Sequence, residues 1–158
     1  MTTDKANAAA AVMNIPFNFH AVAAGLKDLG SATKSIGAYQ AGSVVVMRNW
    51  AKDNNDVLVR YIKAIIAGRR WLLVPANKAE ATKLLVDRLK LPPDIAAKAY
   101  GAVTDPADGF HKDAKFDMEG FKNVLKLRAE IEGQWGGKPP APDKYIDLSH
   151  YNKAIAGL

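Results

Sequence analysis

The hydrophobic pattern changes period abruptly within residues 42–71, GSVVVMRNWAKDNNDVLVRYIKAIIAGRRW. Ser43-Val44-Val45-Val46-Met47 is a short, continuous apolar run rich in β-branched residues, the pattern of a strand buried on both faces. Asn54 or Asn55 is then placed to cap a helix whose apolar residues fall at Val57, Leu58, Tyr61, Ile62, Ile65 and Ile66. A buried strand feeding amphipathic helices predicts an α/β layer fold. The rest of the chain offers almost no other strand, so the pattern predicts part of a larger protein.

The bulk composition bounds the class. A chain of 158 residues that is 49% apolar and 24% charged has the make-up of an ordinary globular protein. No apolar run approaches the roughly 20 residues of a membrane helix. The start, MTTDKANAAAAVMN, has one Lys, an early Asp and a short apolar stretch, so it makes a poor signal peptide. The net charge of +6 does not point to nucleic acid, because 22 Lys and Arg are interleaved with 16 Asp and Glu. Arg69 and Arg70 form the densest cluster, and there they complement the dipole at a helix C-terminus. With no Cys, disulfides, thiolate metal sites and cysteine nucleophiles are excluded.

Residues 8–14, AAAAVMN, are the second candidate strand, ended by Asn14-Ile15-Pro16. A helix is expected over 17–29, with Phe17, Val22, Ala23 and Leu26 on its apolar side and Gly30 as its stop. The Gly-, Ser- and Ala-rich stretch 30–42 reads as an irregular connection and the best candidate hinge. Asn77 and Glu80 form a capping-box-like pair for a helix carrying Ala81, Leu84, Leu85 and Leu89. Leu91-Pro92-Pro93-Asp94 opens a third helix with Ile95, Ala99, Tyr100 and Val103 facing inward. Asp117 caps a fourth, with Phe121, Val124, Leu125, Leu127 and Ile131 as core candidates. An extended GGKPPAP tail and a short helix from about Ser149 close the chain.

No motif in these elements argues for an enzyme. His20, His111 and His150 lack metal partners at helical spacing. The acidic stretch from Asp105 to Glu119 fails as a calcium loop, because Lys115 stands at the bidentate Glu position; its carboxylates read as turn formers and a cap. GLKDLGSAT has phosphate-loop glycine spacing but carries Ser31 in place of the Lys. Two apolar-to-polar junctions remain: Asn14, ending a strand before a helix, and Tyr39-Gln40 in the Gly-rich connection. From composition alone, turn chemistry accounts for both.

The order of the pieces resembles the C-terminal half of ABC-transporter substrate-binding proteins, in the branch of aliphatic-sulfonate, taurine, nitrate and thiamine-pyrimidine-precursor binders. The resemblance is carried by AAAVMNIPF (9–17), AGLKDLGSA (24–32), YQAGSVVVMRNWAKDNNDVLVRYIKA (39–64), WLLVPANKAEATKLL (71–85) and YIDLSHYNKA (145–154). It covers nearly the whole chain after Ala8.

The resemblance implies a helix-rich portion of an α/β, type II periplasmic-binding-protein fold. Residues 1–38 would end the second lobe, 39–43 would cross the hinge, and 44–158 would form the C-terminal helical part of the first lobe. It implies a periplasmic component of an ABC importer that closes two lobes on a small polar or anionic ligand and then docks on the permease. Asn14, Phe17 and Tyr39 fall where ligand contacts are expected. No catalytic residue, metal, cofactor, nucleic-acid contact or direct membrane insertion is implied. The export signal and the N-terminal first-lobe segment of the family have no counterpart in the chain, so a half-site without tight binding of its own is expected. The alternatives are a pyrimidine-synthase-like enzyme on the same fold and a freestanding helical interaction domain.

Overall fold

The computed structural model describes residues 9–158; the N-terminal residues read above for an export signal, and Ala8 of the first expected strand, lie outside them. Eight α-helices carry the described residues: α1 (Phe17–Ala23), α2 (Ala32–Ile36), α3 (Arg48–Asp53), α4 (Asn55–Leu72), α5 (Lys78–Leu89), α6 (Pro93–Val103), α7 (Met118–Glu132) and α8 (Ser149–Ala156). There is no strand among them. The expected α/β fold, a helix-rich part of the type II periplasmic-binding-protein topology, is therefore corrected to an all-helical arrangement. The physical reason lies in pairing. Residues 9–14 and 43–47 have strand-like composition, but neither finds a partner ladder among the described residues, so both stay irregular and largely exposed. Val45 is 86% and Met47 78% exposed where a strand buried on both faces was expected.

Helix α4 is the longest element, and α8 packs along it. Leu58 and Ile66 of α4 and Ala154 of α8 are buried. The Lys63 ammonium donates to the Gly157 carbonyl at 2.9 Å and so satisfies a backbone group beyond the end of α8. The other half of the α4 stripe is uncovered, with Val57, Tyr61 and Ile65 all exposed. A stripe broader than one neighbour can cover leaves that result.

Helices α5 and α6 pack together, and α1 rests on α6. Leu91, Ile95 and Ala96 form a buried cluster there, with Phe19, Leu85 and Val86 against it. Leu125 and Ala129 bury one side of α7, whereas Ile131, an expected core residue, is 77% exposed. Helix α7 holds the connection before α3 by polar contacts. The Asn123 amide donates to the Ile36 and Ala38 carbonyls at 2.7 and 2.9 Å, and the Asp117 N–H donates to Gln40 Oε1 at 2.9 Å.

Several helix ends follow from local chemistry. Asp117 caps α7, accepting from the Gly120 N–H at 2.9 Å. Replacing it with Ala leaves that donor unpaired, so Asp117→Ala should cost about 1 kcal/mol, read as a lowered urea midpoint. The expected caps at Asn54 and Asn77 are not made. Their amides donate backward instead, to Trp50 O at 3.0 Å and Trp71 O at 2.8 Å. Helix α1 stops at Ala23, short of the expected Gly30, because Gly25 adopts φ +89°. Gly25 N–H then reaches Val22 O at 2.9 Å and Leu26 N–H reaches Ala21 O at 3.0 Å, the paired bonds of a Schellman turn.

Candidate functional site

An apolar cavity of about 340 Å³ lies where the start of α1, the end of α4 and helices α5 and α6 converge. Ile15 and Pro16 line one side, Trp71 and Leu72 another, and Leu84 and Phe110 also contribute. Among the described residues that line it, none is charged. The Arg69 guanidinium lies 4.7 Å from the centre of the Phe110 ring, a cation–π contact with one wall residue. The Tyr100 hydroxyl donates to Leu72 O at 3.3 Å, fixing α6 against the end of α4.

Ile15 and Pro16 connect this cavity to the strand end singled out in the sequence, since Asn14 and Phe17 flank them. Asn14 is exposed, and its carbonyl accepts from the Asn18 N–H at 3.2 Å. Phe17, the first residue of α1, is 62% exposed. Tyr39 sits in the connection tethered to α7, and no hydrogen bond among the described residues joins it to Asn14 or Phe17. The structure thus brings Asn14 and Phe17 to one edge and shows no such link for Tyr39.

Asn18 was not singled out from sequence. Its Oδ1 is buried and has no hydrogen-bond partner among the described residues. A buried acceptor without a donor costs about 1–3 kcal/mol. The available signal was the Asn14/Asn18 spacing, across which the Asn18 N–H donates to the Asn14 carbonyl.

Three carboxylates are held by hydrogen bonds. Asp105 Oδ1 accepts from the Ala107 and Asp108 N–H groups at 2.8 and 3.0 Å. These bonds, Asp108 first, hold its carboxyl below the usual range. The Ser149 N–H, 2.8 Å from Asp147 Oδ1, does the same at the start of α8. Asp113 is lowered chiefly by its hydrogen bond from Arg70 Nε at 2.7 Å. Within the acidic stretch, Asp105 forms a turn and Asp117 a cap, the two roles expected from sequence, and Asp113 forms an ion pair that was not expected. His111 Nδ1 accepts from the Asp113 N–H at 3.4 Å, and His150 Nδ1 lies 3.4 Å from the Ser149 hydroxyl. Among the described residues, no three His, Asp or Glu gather as metal ligands.

A carboxylate whose pKa is lowered by folding contributes stability above its unfolded value, near 3.9, and loses it as pH falls through the folded value. Acidification below about pH 4 should therefore lower the urea midpoint. In Asp113→Asn, which cannot ionise, the midpoint should fall less between neutral pH and about pH 3 than in the parent. An equal fall in both proteins would remove the Arg70–Asp113 pair from the acid response.

With this geometry in hand, no family model, curated protein or solved structure matches the chain.

Proposed function

We propose that the chain is a solute-binding component of an ABC importer, taking a small polar ligand by non-covalent contacts at the start of α1. Asn14 and Asn18 supply the polar contacts, and Phe17 supplies an apolar wall beside them. The observation that carries this reading is the unpartnered Asn18 Oδ1, a buried acceptor one turn from the residue that the five-segment resemblance marks as a ligand contact. An amine-bearing solute such as taurine offers the missing donor, whereas nitrate offers none. The reading places the protein in the periplasm with the importer permease as its partner. It does not include the two-lobed clamp fold, because the described residues form no sheet.

The test is a titration with taurine, followed by backbone NMR shifts at α1 and by calorimetry. Weak binding is expected, with Asn14→Ala losing about 1–3 kcal/mol, or roughly 5- to 150-fold in affinity. Lys83→Ala, which removes only an exposed α5 ion pair with Asp87, should bind like the parent. Asn14→Ala binding as well as the parent, or shifts that avoid α1, would remove this site.

A second reading is favoured by the cavity itself. A pocket lined by Ile15, Trp71 and Leu84 without a charged group suits an apolar side chain from another protein better than an anion. On that reading the chain is a helical interaction domain, and it requires a stable monomer in the absence of any solute.

A further inference from the structure

The apolar cavity owes its space to small residues on its inner side. Ala81 of α5 and Ala99 of α6 line it and are buried, whereas Ile15, Leu84, Leu89 and Phe110 are large, apolar and exposed. It is therefore a recess with a small-residue floor, reachable from solvent past an apolar rim. A cavity of about 150 Å³ holds benzene. At about 340 Å³ this one has room for a second fused ring, and one phenyl group would leave about half of it empty. The only polar side-chain atom among the lining residues is Trp71 Nε1. The Trp71 carbonyl accepts from the Asn77 amide, but the indole N–H, a donor only, makes no hydrogen bond among the described residues. Water in the recess finds few polar side-chain partners, so an apolar occupant displaces it at little cost.

We propose that this cavity is a binding site for a small, uncharged, planar molecule of two fused rings carrying one hydrogen-bond acceptor, the class of quinoline. Trp71 and Phe110 place two aromatic rings in the wall, against which a planar ring system packs edge-on or offset. The Trp71 indole N–H supplies the single donor that such a molecule can use. Charge is selected against, because a carboxylate entering a recess lined by no charged residue loses its hydration without gaining a partner. Ala81 and Ala99 set the size limit, since a larger side chain at either would occupy the space of one ring. The assignment is independent of the taurine site at α1, whose failure would leave it standing. It also gives the cavity a free small molecule where the second reading gives it a side chain of another protein.

The test titrates the full chain with quinoline, with naphthalene as the isostere that lacks an acceptor, and with 2-naphthoate as the charged analogue. Binding is read from NMR shifts at Leu84, Ala99 and the Trp71 indole N–H, all outside α1. Quinoline and naphthalene should bind with Kd between about 10 µM and 1 mM, and 2-naphthoate at least ~10-fold more weakly than naphthalene. Trp71→Phe should weaken quinoline about 3- to 10-fold more than it weakens naphthalene, because only quinoline loses a hydrogen bond. Ala99→Leu, which fills the floor, should weaken both at least ~10-fold. Leu84→Lys, a change at an exposed rim position, should weaken both at least ~3-fold with an unchanged helical spectrum. Absent shifts at Leu84 and Ala99 in about 2 mM quinoline overturn the proposal. So do 2-naphthoate binding as tightly as naphthalene, equal losses of the two isosteres in Trp71→Phe, or parent-like binding in Leu84→Lys.

Discussion

Ile66→Ala should destabilise the protein by about 2–5 kcal/mol and lower its melting temperature by about 10 °C. Ile66 is 0% exposed and is the largest side chain among the described residues that is fully buried. It sits on α4, the helix against which α8 packs. Truncation removes the transfer energy of the lost carbons and leaves a cavity that two helices can only partly close. Many of the other buried residues are alanines, among them Ala81, Ala96, Ala99, Ala129 and Ala154. Small side chains let helices approach closely but bury little area each, so a single large one carries a disproportionate share. Folded domains retain only about 5–15 kcal/mol in total, which makes this loss visible in any denaturation curve. Ile65→Ala, one residue along and 37% exposed, should cost well under half as much.

Gly109→Ala should cost about 1–3 kcal/mol by a different route, through backbone that cannot yield. A Cβ at this position would lie 2.7 Å from both Val103 O and Asp105 N, and closer still to Asp105 O. All three atoms are main chain, so no rotamer change relieves the overlap. The turn must open, and with it two backbone bonds, Gly109 N–H to Asp105 O at 2.8 Å and Phe110 N–H to Val103 O at 2.7 Å. Phe110 would then leave the cavity wall and its contact with Arg69. The expected signature is a lowered urea midpoint together with changed NMR shifts at Trp71 and Leu84 across the cavity. Gly101→Ala, where an added Cβ meets nothing within 4 Å and which sits inside α6, should be neutral or slightly stabilising.

What the sequence made legible was local. The periodicity of Leu58, Ile62 and Ile66 specified α4 because a helix makes all its backbone bonds within itself, and Asp117 specified the start of α7 because its carboxylate reaches Gly120. The short α3 was not foreseen: its sequence, RNWAKD, is too brief to show a period. The expected strands failed for a converse reason. Three consecutive valines favour extended backbone, but a strand exists only with a neighbour to complete its ladder. Composition specifies the first condition and not the second.

Asn77 shows the same limit on a smaller scale. Asn77 and Glu80 have the spacing of a capping box, yet Trp71 O at the end of α4, which also accepts from the Val74 N–H, takes the Asn77 amide. At the candidate site, Asn14 was singled out because a strand-like run meets a Pro turn there, and Phe17 was added by the resemblance. Asn18 was not, since whether a helical amide finds a donor depends on which neighbours enclose it. Tyr39 was singled out as part of the Gly-rich connection, and its neighbours Ala38 and Gln40 are held by α7.

The most direct test of the all-helical arrangement is a backbone NMR assignment at low micromolar concentration, with isotope filtering to separate contacts within one molecule from those between molecules. Helical carbon shifts are predicted for Asn55–Leu72, Lys78–Leu89, Pro93–Val103, Met118–Glu132 and Ser149–Ala156. Residues 9–14 and 43–47 should show no cross-strand contacts within a molecule. Intramolecular strand pairing between those two segments would contradict the fold described here.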